Sequence, residues 1–280
     1  MMIPNKAMIL AAGHGTRLRP LTDRLPKAMV PVDGKPVLQY AVERLRDSGV
    51  REITINLCHL PRVVMDHFGD GSAWGVKIHY SLEEEALGTA GGVKRVQGLF
   101  DGPFFVWYGD NLSTIDLAGL YRFHRARGGV ATMALCHWEY VNASGIVGVD
   151  ADGRITRFLE KPSPEQVFSH WINAGIYVLE PEVLDAIPPG RFYDFGRDLF
   201  PALLGRGDPL YGYQMSEGER LWLIDTPGYL EQVEGEVSAR GGLTSLQPHV
   251  LNLPRQAVRP AIRPHDTREP DSEPEADFAI

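Results

Sequence analysis

Arg17, Arg19, Arg24, Lys27 and Lys35 put five cations within nineteen residues, beside the small-residue loop Ala11-Ala12-Gly13-His14-Gly15-Thr16. Small residues let a backbone come close to a ligand, and successive N–H groups in such a loop face an anion. The chemistry this implies is a polyphosphate held by backbone and cations. The loop is not a P-loop, because no Gly-Lys-Ser/Thr follows at the required spacing. It is not a dinucleotide fingerprint either, since Leu18 breaks Gly-x-Gly-x-x-Gly. Taken alone, it is equally readable as a tight turn.

Further candidates follow along the chain. Asp110 lies just past the apolar run Phe104–Tyr108. The carboxyl end of a buried parallel strand is where open α/β sheets place ligands, although Asp is also a common cap or turn residue. Glu160-Lys161 closes a stretch of alternating polarity, where an exposed charge pair is the ordinary outcome. Asn173 interrupts an otherwise apolar strand, which is costly unless the amide is hydrogen-bonded. Asp225, ahead of Thr226-Pro227, suits either a ligand or the cap of the helix expected over 226–238.

The elements that must position these residues follow the grammar of a parallel α/β sheet. Met8–Ala12 reads as a buried strand. Residues 36–47 carry apolar side chains at helical spacing from Pro36 and stop at Gly49. Strands are expected at 51–57, 76–80, 104–108 and 130–136, with helices at 61–68 and 116–127, the latter capped by Asp116. Residues 145–162 form a hairpin turning at Asp150–Gly153. A strand over 171–177, short helices over 181–187 and 193–204, and late strands at 210–214 and 221–224 complete the pattern.

Leu10-Ala11-Ala12-Gly13-x-Gly15-Thr16-Arg17-Leu18-Arg19-Pro20-Leu21-Thr22, then Pro26-Lys27-Ala28-Met29 and Gly34-Lys35-Pro36, closely resembles the signature of the sugar-1-phosphate nucleotidylyltransferases. The resemblance continues through Leu87-Gly88-Thr89-Ala90-Gly91, Gly109-Asp110, Gly145, Glu160-Lys161 and Asn173-Ala174-Gly175-Ile176-Tyr177, and spans about residues 6 to 235. It implies a Rossmann-like α/β nucleotidyltransferase fold with a mostly parallel mixed sheet and helices on both faces. No hexapeptide repeat marks the C-terminal β-helix that some relatives append.

The resemblance also implies roles. Leu10, Ala11, Ala12, Gly13, Gly15, Thr16, Arg17, Gly88, Thr89 and Asp110 would bind the nucleotide. Arg17 would hold the β- and γ-phosphates, Lys27 the α-phosphate and Lys161 the sugar phosphate. Gly145, Glu160 and Asn173 would meet the sugar. Asp110 resembles the family's metal aspartate, with Mg²⁺ as the expected cofactor. The family commonly closes its last strand with Trp-x-Asp-x-Gly-Thr-Pro, where the Asp is the second metal ligand. Here the Asp position falls on Leu223 and the Gly position on Asp225. Residues two apart on a strand share a face, so Asp225 is the expected replacement ligand. The wording around Leu87–Gly91 most resembles the guanylyl-transferring branch, so GTP and mannose 1-phosphate are the favoured pair. Thymidylyl or uridylyl transfer to another sugar phosphate is the alternative within the class. A nucleotide-sugar-sensing subunit without turnover is the alternative outside it, and a glycosyltransferase is disfavoured by the lack of Asp-x-Asp at a strand end.

The whole chain sets outer bounds. Its 280 residues allow one large domain, expected over 1–240, before a Pro-rich stretch at 241–280 that reads as a disordered or loosely docked tail. A net charge of −8 argues against nucleic acid, while the local basic cluster leaves a nucleotide well served. No apolar run has the length of a membrane span and no signal peptide opens the chain. Cys58 and Cys136 are the only cysteines and lack metal spacing, so a cytoplasmic protein is expected. The late helices offer apolar surface for a homo-oligomer.

Overall fold

The computed structural model describes residues 3–239. The tail expected over 241–280 lies outside the described residues. The chain opens with β1 (Lys6–Leu10), then short 3₁₀ turns and a small ribbon of β2 (Pro31–Val32) and β3 (Lys35–Pro36). There follow α1 (Val37–Ser48), β4 (Glu52–Leu57), α2 (Pro61–Phe68), β5 (Lys77–Leu82), α3 (Gly88–Arg95), β6 (Phe104–Tyr108), β7 (Asn111–Ser113) and α4 (Leu117–Arg127). The second half contributes β8 (Ala131–His137), β9 (Gly145–Val149), β10 (Ile155–Glu160), β11 (Trp171–Leu179), α5 (Phe200–Gly205), β12 (Leu210–Gln214), β13 (Leu221–Leu223) and α6 (Pro227–Ala239).

One mixed sheet carries the site, in the order β10-β9-β11-β6-β1-β4-β5, with β8 on β11 and β12 on β8. Its β6-β1-β4-β5 half is parallel, and β11 meets β6, β8 and β9 antiparallel. The central strands are continuously apolar because both faces are covered. Ala7 and Ile9 of β1, with Phe105 and Trp107 of β6, pack on the α1, α2 and α4 side. Met8, Leu10, Phe104 and Val106 alternate with them and pack on the α3 and α5 side.

Helix α1 buries Val37, Leu38, Ala41, Val42 and Leu45, a stripe at helical spacing, and Gly49 at φ +113° stops it. Pro36 stands just ahead of this helix rather than inside its first turn. Asp116 precedes α4, but its carboxylate caps nothing and instead accepts from Arg122 at 3.2 Å. Residues 195–199 wind as a π-turn before α5, held by Asp194, whose carboxylate accepts from the N–H groups of Gly196 and Arg197.

Candidate active site

Two strand ends build the floor. Beyond β1, Ala11 and Ala12 are buried while Gly13, His14, Thr16 and Arg17 are exposed. Gly15 adopts φ +64°, and a Cβ on it would stand 2.8 Å from Cβ of Lys27. Glycine is therefore required there by conformation and by space. The Gly15 carbonyl accepts from the Thr22 hydroxyl at 2.8 Å and from the Leu18 N–H at 3.0 Å. Those bonds fix the loop that carries Arg17. Beyond β6, the Gly109 N–H donates to the Leu10 carbonyl at 2.8 Å, which sets Asp110 beside the first loop.

Lys27 joins these parts to the carboxyl-terminal region. Its ammonium donates to both Asp110 and Asp225. Arg17 Nη2 lies 3.3 Å from the same Asp225 carboxylate. Burial works to lower the Lys27 pKa, but the two carboxylates outweigh it and hold the ammonium above its usual range. Burial likewise works to raise Asp225, and Lys27, Arg17 and Lys161 together hold it below the usual carboxylate range. Lys161 thus joins the same charge cluster from the end of β10, where it takes a left-handed φ of +47°. Sequence positions 17, 27, 110, 161 and 225 converge on one place.

Asp225 resolves the departure in the last strand. Leu223 pairs with Asn111 in the β7–β13 ribbon and packs against the core. Asp225 lies just past the strand end. The capping function falls to Thr226, whose side-chain oxygen accepts from the Tyr229 N–H at 3.3 Å. Asp225 is thereby free of the helix terminus and turned to the cations, so the reading of it as a helix cap is set aside.

The sugar-side candidates sit across β9, β10 and β11. Glu160 ends β10 against two backbones: a Cβ on Gly145 would stand 2.6 Å from its Oε2, and one on Gly196 would collide with the same atom. Burial first, then the Asp194 carboxylate, push the Glu160 carboxyl up, against the opposing pull of Lys161 and Arg197. The Asn173 amide is fixed at both ends, with Oδ1 accepting from the Gly175 N–H at 2.9 Å and Nδ2 donating to the Tyr177 hydroxyl at 2.8 Å.

The second glycine loop is braced from below. Gly88 takes φ +76°, a Cβ on it would stand 2.6 Å from the Tyr193 carbonyl oxygen, and the N–H groups of Ala90 and Gly91 both donate to that carbonyl at 2.9 Å. The Thr89 hydroxyl donates to Asp194 Oδ2 at 2.7 Å and accepts from the Phe195 N–H at 2.8 Å. The side chain of Thr89 is thus committed to the 193–197 segment. Asn56 and Glu83 carry the same bracing to the first loop and escape sequence reasoning. The signal present was Asn56 in an apolar strand, the same pattern that marked Asn173.

As a metal site, the cluster offers Asp110 and Asp225. Among the described residues no group of three or more His, Cys, Asp or Glu side chains is placed to hold a metal ion. Two hard carboxylates flanking one cation position fit Mg²⁺, which commonly takes one or two carboxylates and fills its shell with substrate phosphates and water.

The nucleotidyl transferase family model matches residues 6–223 of this chain. The chain belongs to the sugar-1-phosphate nucleotidyltransferase family. It is 42% identical over 271 residues to a UTP–glucose-1-phosphate uridylyltransferase of Synechocystis, covering 92% of this chain and 68% of that protein. It is 43% identical over 209 residues to the mannose-1-phosphate guanylyltransferase of Mycobacterium tuberculosis, covering 74% of this chain and 58% of that one. The chain therefore spans about three-fifths to two-thirds of the length of these relatives. Among solved structures, HddC from Yersinia pseudotuberculosis complexed with GMP-PN superposes with a TM-score of 0.70 at 24% identity, over 83% of this chain and 99% of that one. A UDP-glucose pyrophosphorylase complexed with UDP-glucose gives 0.73 at 22%, over 85% of this chain and all of that one. At such identities the likeness is one of fold. Among the described residues no helix is long and apolar enough to cross a membrane.

Proposed function

We propose that the chain transfers a nucleotidyl group from an NTP to a sugar 1-phosphate, giving an NDP-sugar and pyrophosphate, with GTP and mannose 1-phosphate as the favoured pair. The observation that carries this reading is Lys27 set between Asp110 and Asp225, with Arg17 3.3 Å from the second carboxylate.

A phosphate oxygen of the sugar 1-phosphate attacks the α-phosphorus. A new P–O bond forms as the bond to the bridging oxygen of the β-phosphate breaks, and pyrophosphate leaves with that electron pair. The attacking oxygen is already anionic near neutral pH, because the second phosphate pKa is about 6. No Ser, Cys or His nucleophile is required. The protein contributes position and charge. Arg17 neutralises the departing pyrophosphate. Lys27 has three N–H donors, of which the two carboxylates take two, leaving one for the α-phosphate. Lys161 receives the sugar phosphate, and Glu160 and Asn173 accept and donate to sugar hydroxyls. Asp110 and Asp225 would hold Mg²⁺, which supplies charge neutralisation between two anionic reactants.

The second reading is uridylyl transfer to glucose 1-phosphate, favoured by the Synechocystis relative matched over 92% of this chain. A pyrophosphate-release panel with Mg²⁺ tests both, crossing four NTPs with mannose, glucose and N-acetylglucosamine 1-phosphates. The expected strongest signal is GTP with mannose 1-phosphate. A UTP–glucose maximum replaces the base and sugar while keeping the reaction. Nucleotide binding without pyrophosphate release from any pair favours a sensing subunit instead.

A further inference from the structure

Among the described residues, three other than glycine take a positive φ: Asp33, Leu60 and Lys161. Lys161 stands in the charge cluster described above, and Asp33 lies in the turn between β2 and β3. Leu60 belongs to neither place. It takes φ +48° in the loop between β4 and α2, directly ahead of Pro61. A bulky side chain disfavours the left-handed region, and a following proline favours extended backbone, so this conformation is strained on both counts. Strain of this kind gathers where a neighbouring group must be held in place.

The neighbouring group is His59. Its Nε2 lies 2.9 Å from the Thr22 carbonyl oxygen. A carbonyl only accepts, so Nε2 carries a proton and donates. Thr22 is buried, and its hydroxyl donates in turn to the Gly15 carbonyl at 2.8 Å. The His59 ring also stacks on the His14 ring, with centroids 5.9 Å apart and planes at 28°. One side chain from outside the first glycine loop thus meets it twice, at His14 directly and at Gly15 through Thr22. The same Gly15 carbonyl accepts from the Leu18 N–H at 3.0 Å, which closes the turn bearing Arg17. Gly13, His14, Thr16 and Arg17 are all exposed, so the loop has little buried surface of its own to hold it still.

We propose that His59 is a positioning residue for the nucleotide half of the site, its ring and its Nε2–H together holding the 14–22 segment so that Arg17 is presented to the phosphates. The left-handed turn at Leu60 carries the chain away into α2 and leaves His59 against the loop. This rests on the reading above, in which the first glycine loop and Arg17 meet the phosphates of the NTP. The consequence is confined to one substrate. Removing the Nε2–H loosens the Thr22–Gly15 side of the loop and leaves Glu160, Lys161 and Asn173 as they are.

The test is calorimetric binding of GTP and of UTP, each with Mg²⁺, to the unmodified chain, His59→Phe, His59→Gln, Arg17→Ala and the combination of Arg17→Ala with His59→Phe. Phenylalanine keeps a ring against His14 and removes the donor, whereas glutamine keeps an N–H donor at the place of Nε2. For the nucleotide that binds, Kd is expected to rise about three- to tenfold in His59→Phe, the size of one lost hydrogen bond, and to stay within about twofold of the unmodified chain in His59→Gln. Added to Arg17→Ala, His59→Phe is expected to change Kd by less than about twofold, because the residue it positions is already gone. KM for the sugar phosphate in His59→Phe is expected to stay within about twofold. A role in folding alone would lower Tm and the fraction of protein that binds, and leave Kd unmoved. An unchanged Kd in His59→Phe, no rescue by glutamine, or a full further rise on top of Arg17→Ala overturns the positioning role while a raised Kd in Arg17→Ala upholds the phosphate reading. An unchanged Kd in Arg17→Ala, or binding of neither nucleotide to the unmodified chain, removes that reading itself, and the role of His59 with it.

Discussion

Asn56 and Glu83 are joined by a 2.8 Å hydrogen bond inside the molecule, and their far ends hold the two glycine-rich loops. Asn56 Oδ1 accepts from the Ala11 N–H at 2.9 Å, and Glu83 Oε2 accepts from the Leu87 N–H at 2.9 Å. Both side chains are buried, and Gly92 of α3 leaves no room beside them for a Cβ. The spacing of the two loops is thus set by side chains that need not touch a substrate. Asn56→Ala would strand the Ala11 N–H and one Glu83 oxygen in the interior, costing about 1–3 kcal/mol for each unsatisfied group. Urea denaturation is expected to show that loss, and KM for the NTP to rise. Unchanged stability would contradict the bracing.

Arg17 is more than half exposed in its pair with Asp225, so the pair itself contributes little to folding. Arg17→Ala is expected to lower kcat by about 10²–10³, the usual size of losing one charge-stabilising contact, with stability changed by less than about 1 kcal/mol. Single-turnover pyrophosphate release measures the first and denaturant melting the second. Near-normal turnover would remove Arg17 from the reaction.

Lys27 is the opposite case. Its side chain is 12% exposed between two carboxylates. Lys27→Met would take the shared ammonium from between Asp110 and Asp225 and leave Arg17, at the surface, as the partner of Asp225 alone, at a cost of about 3–5 kcal/mol near neutral pH. The sign with pH follows from Asp225. A carboxyl held below its usual range contributes stability above its unfolded pKa, and that contribution disappears as the pH falls through the folded value. The gap between the two proteins, read as Tm, is expected to be widest at pH 7 and to close under acid. A gap constant with pH would contradict this electrostatic account.

Much of this candidate site is legible in the sequence, because the first glycine-rich loop, Gly109-Asp110 and Asn173–Tyr177 are each contiguous. Their residue types carry the chemistry whatever the tertiary path. Apolar runs such as Phe104–Tyr108 read correctly as strands because both sheet faces bury them. What is not legible depends on distant pairing. Asp225 and Thr226 are both ordinary cap residues by type, and only the fold gives the role to Thr226. The pairing of β7 with β13, which sets the approach to Asp225, brings together residues more than a hundred positions apart in three-residue strands. Asn56 and Glu83 carried no family motif, and their roles exist only through each other.

Under the proposed sugar role, Glu160 sets function against folding. Its carboxyl is pushed up by burial and by Asp194, so ionisation at neutral pH costs the native state stability. Glu160→Gln removes that cost and is expected to hold or raise Tm at pH 7.5. The difference should vanish at lower pH, where Glu160 is protonated in both folded and unfolded chains. The same change is expected to raise KM for the sugar phosphate by about tenfold, since an acceptor for a hydroxyl is weakened. A clear fall in Tm at pH 7.5 would mean that the charge is better paired than this geometry implies.

His124 lies buried on α4, bonded to the Thr132 hydroxyl at 2.9 Å and 3.2 Å from Glu180, with Arg125 on the same carboxylate. Burial lowers its pKa more than Glu180 raises it. The neutral ring is therefore favoured in the fold. Its contribution to stability is full above the unfolded pKa, about 6.5, and is lost as the pH falls below that value. His124→Gln is expected to show a smaller fall in Tm between pH 7.5 and pH 5.5 than the parent chain. Equal falls would exclude His124 as a source of acid sensitivity.

The left-handed glycine in β11, at the register shift of its pairing with β8, also organises the sheet. Gly175 divides this strand, so that Ile172 faces Ile146 of the β9–β10 hairpin on one side of it and Ile176–Leu179 face β6 on the other. One strand thus serves two tenants along a single edge. The hairpin can lengthen, tilt or be exchanged for another without breaking a ladder bond in the parallel half. The β9–β10 hairpin, which carries Gly145 and Glu160, can then change while the parallel half stays as it is. For anyone grafting a new hairpin onto this scaffold, residue 175 marks the seam along which to cut.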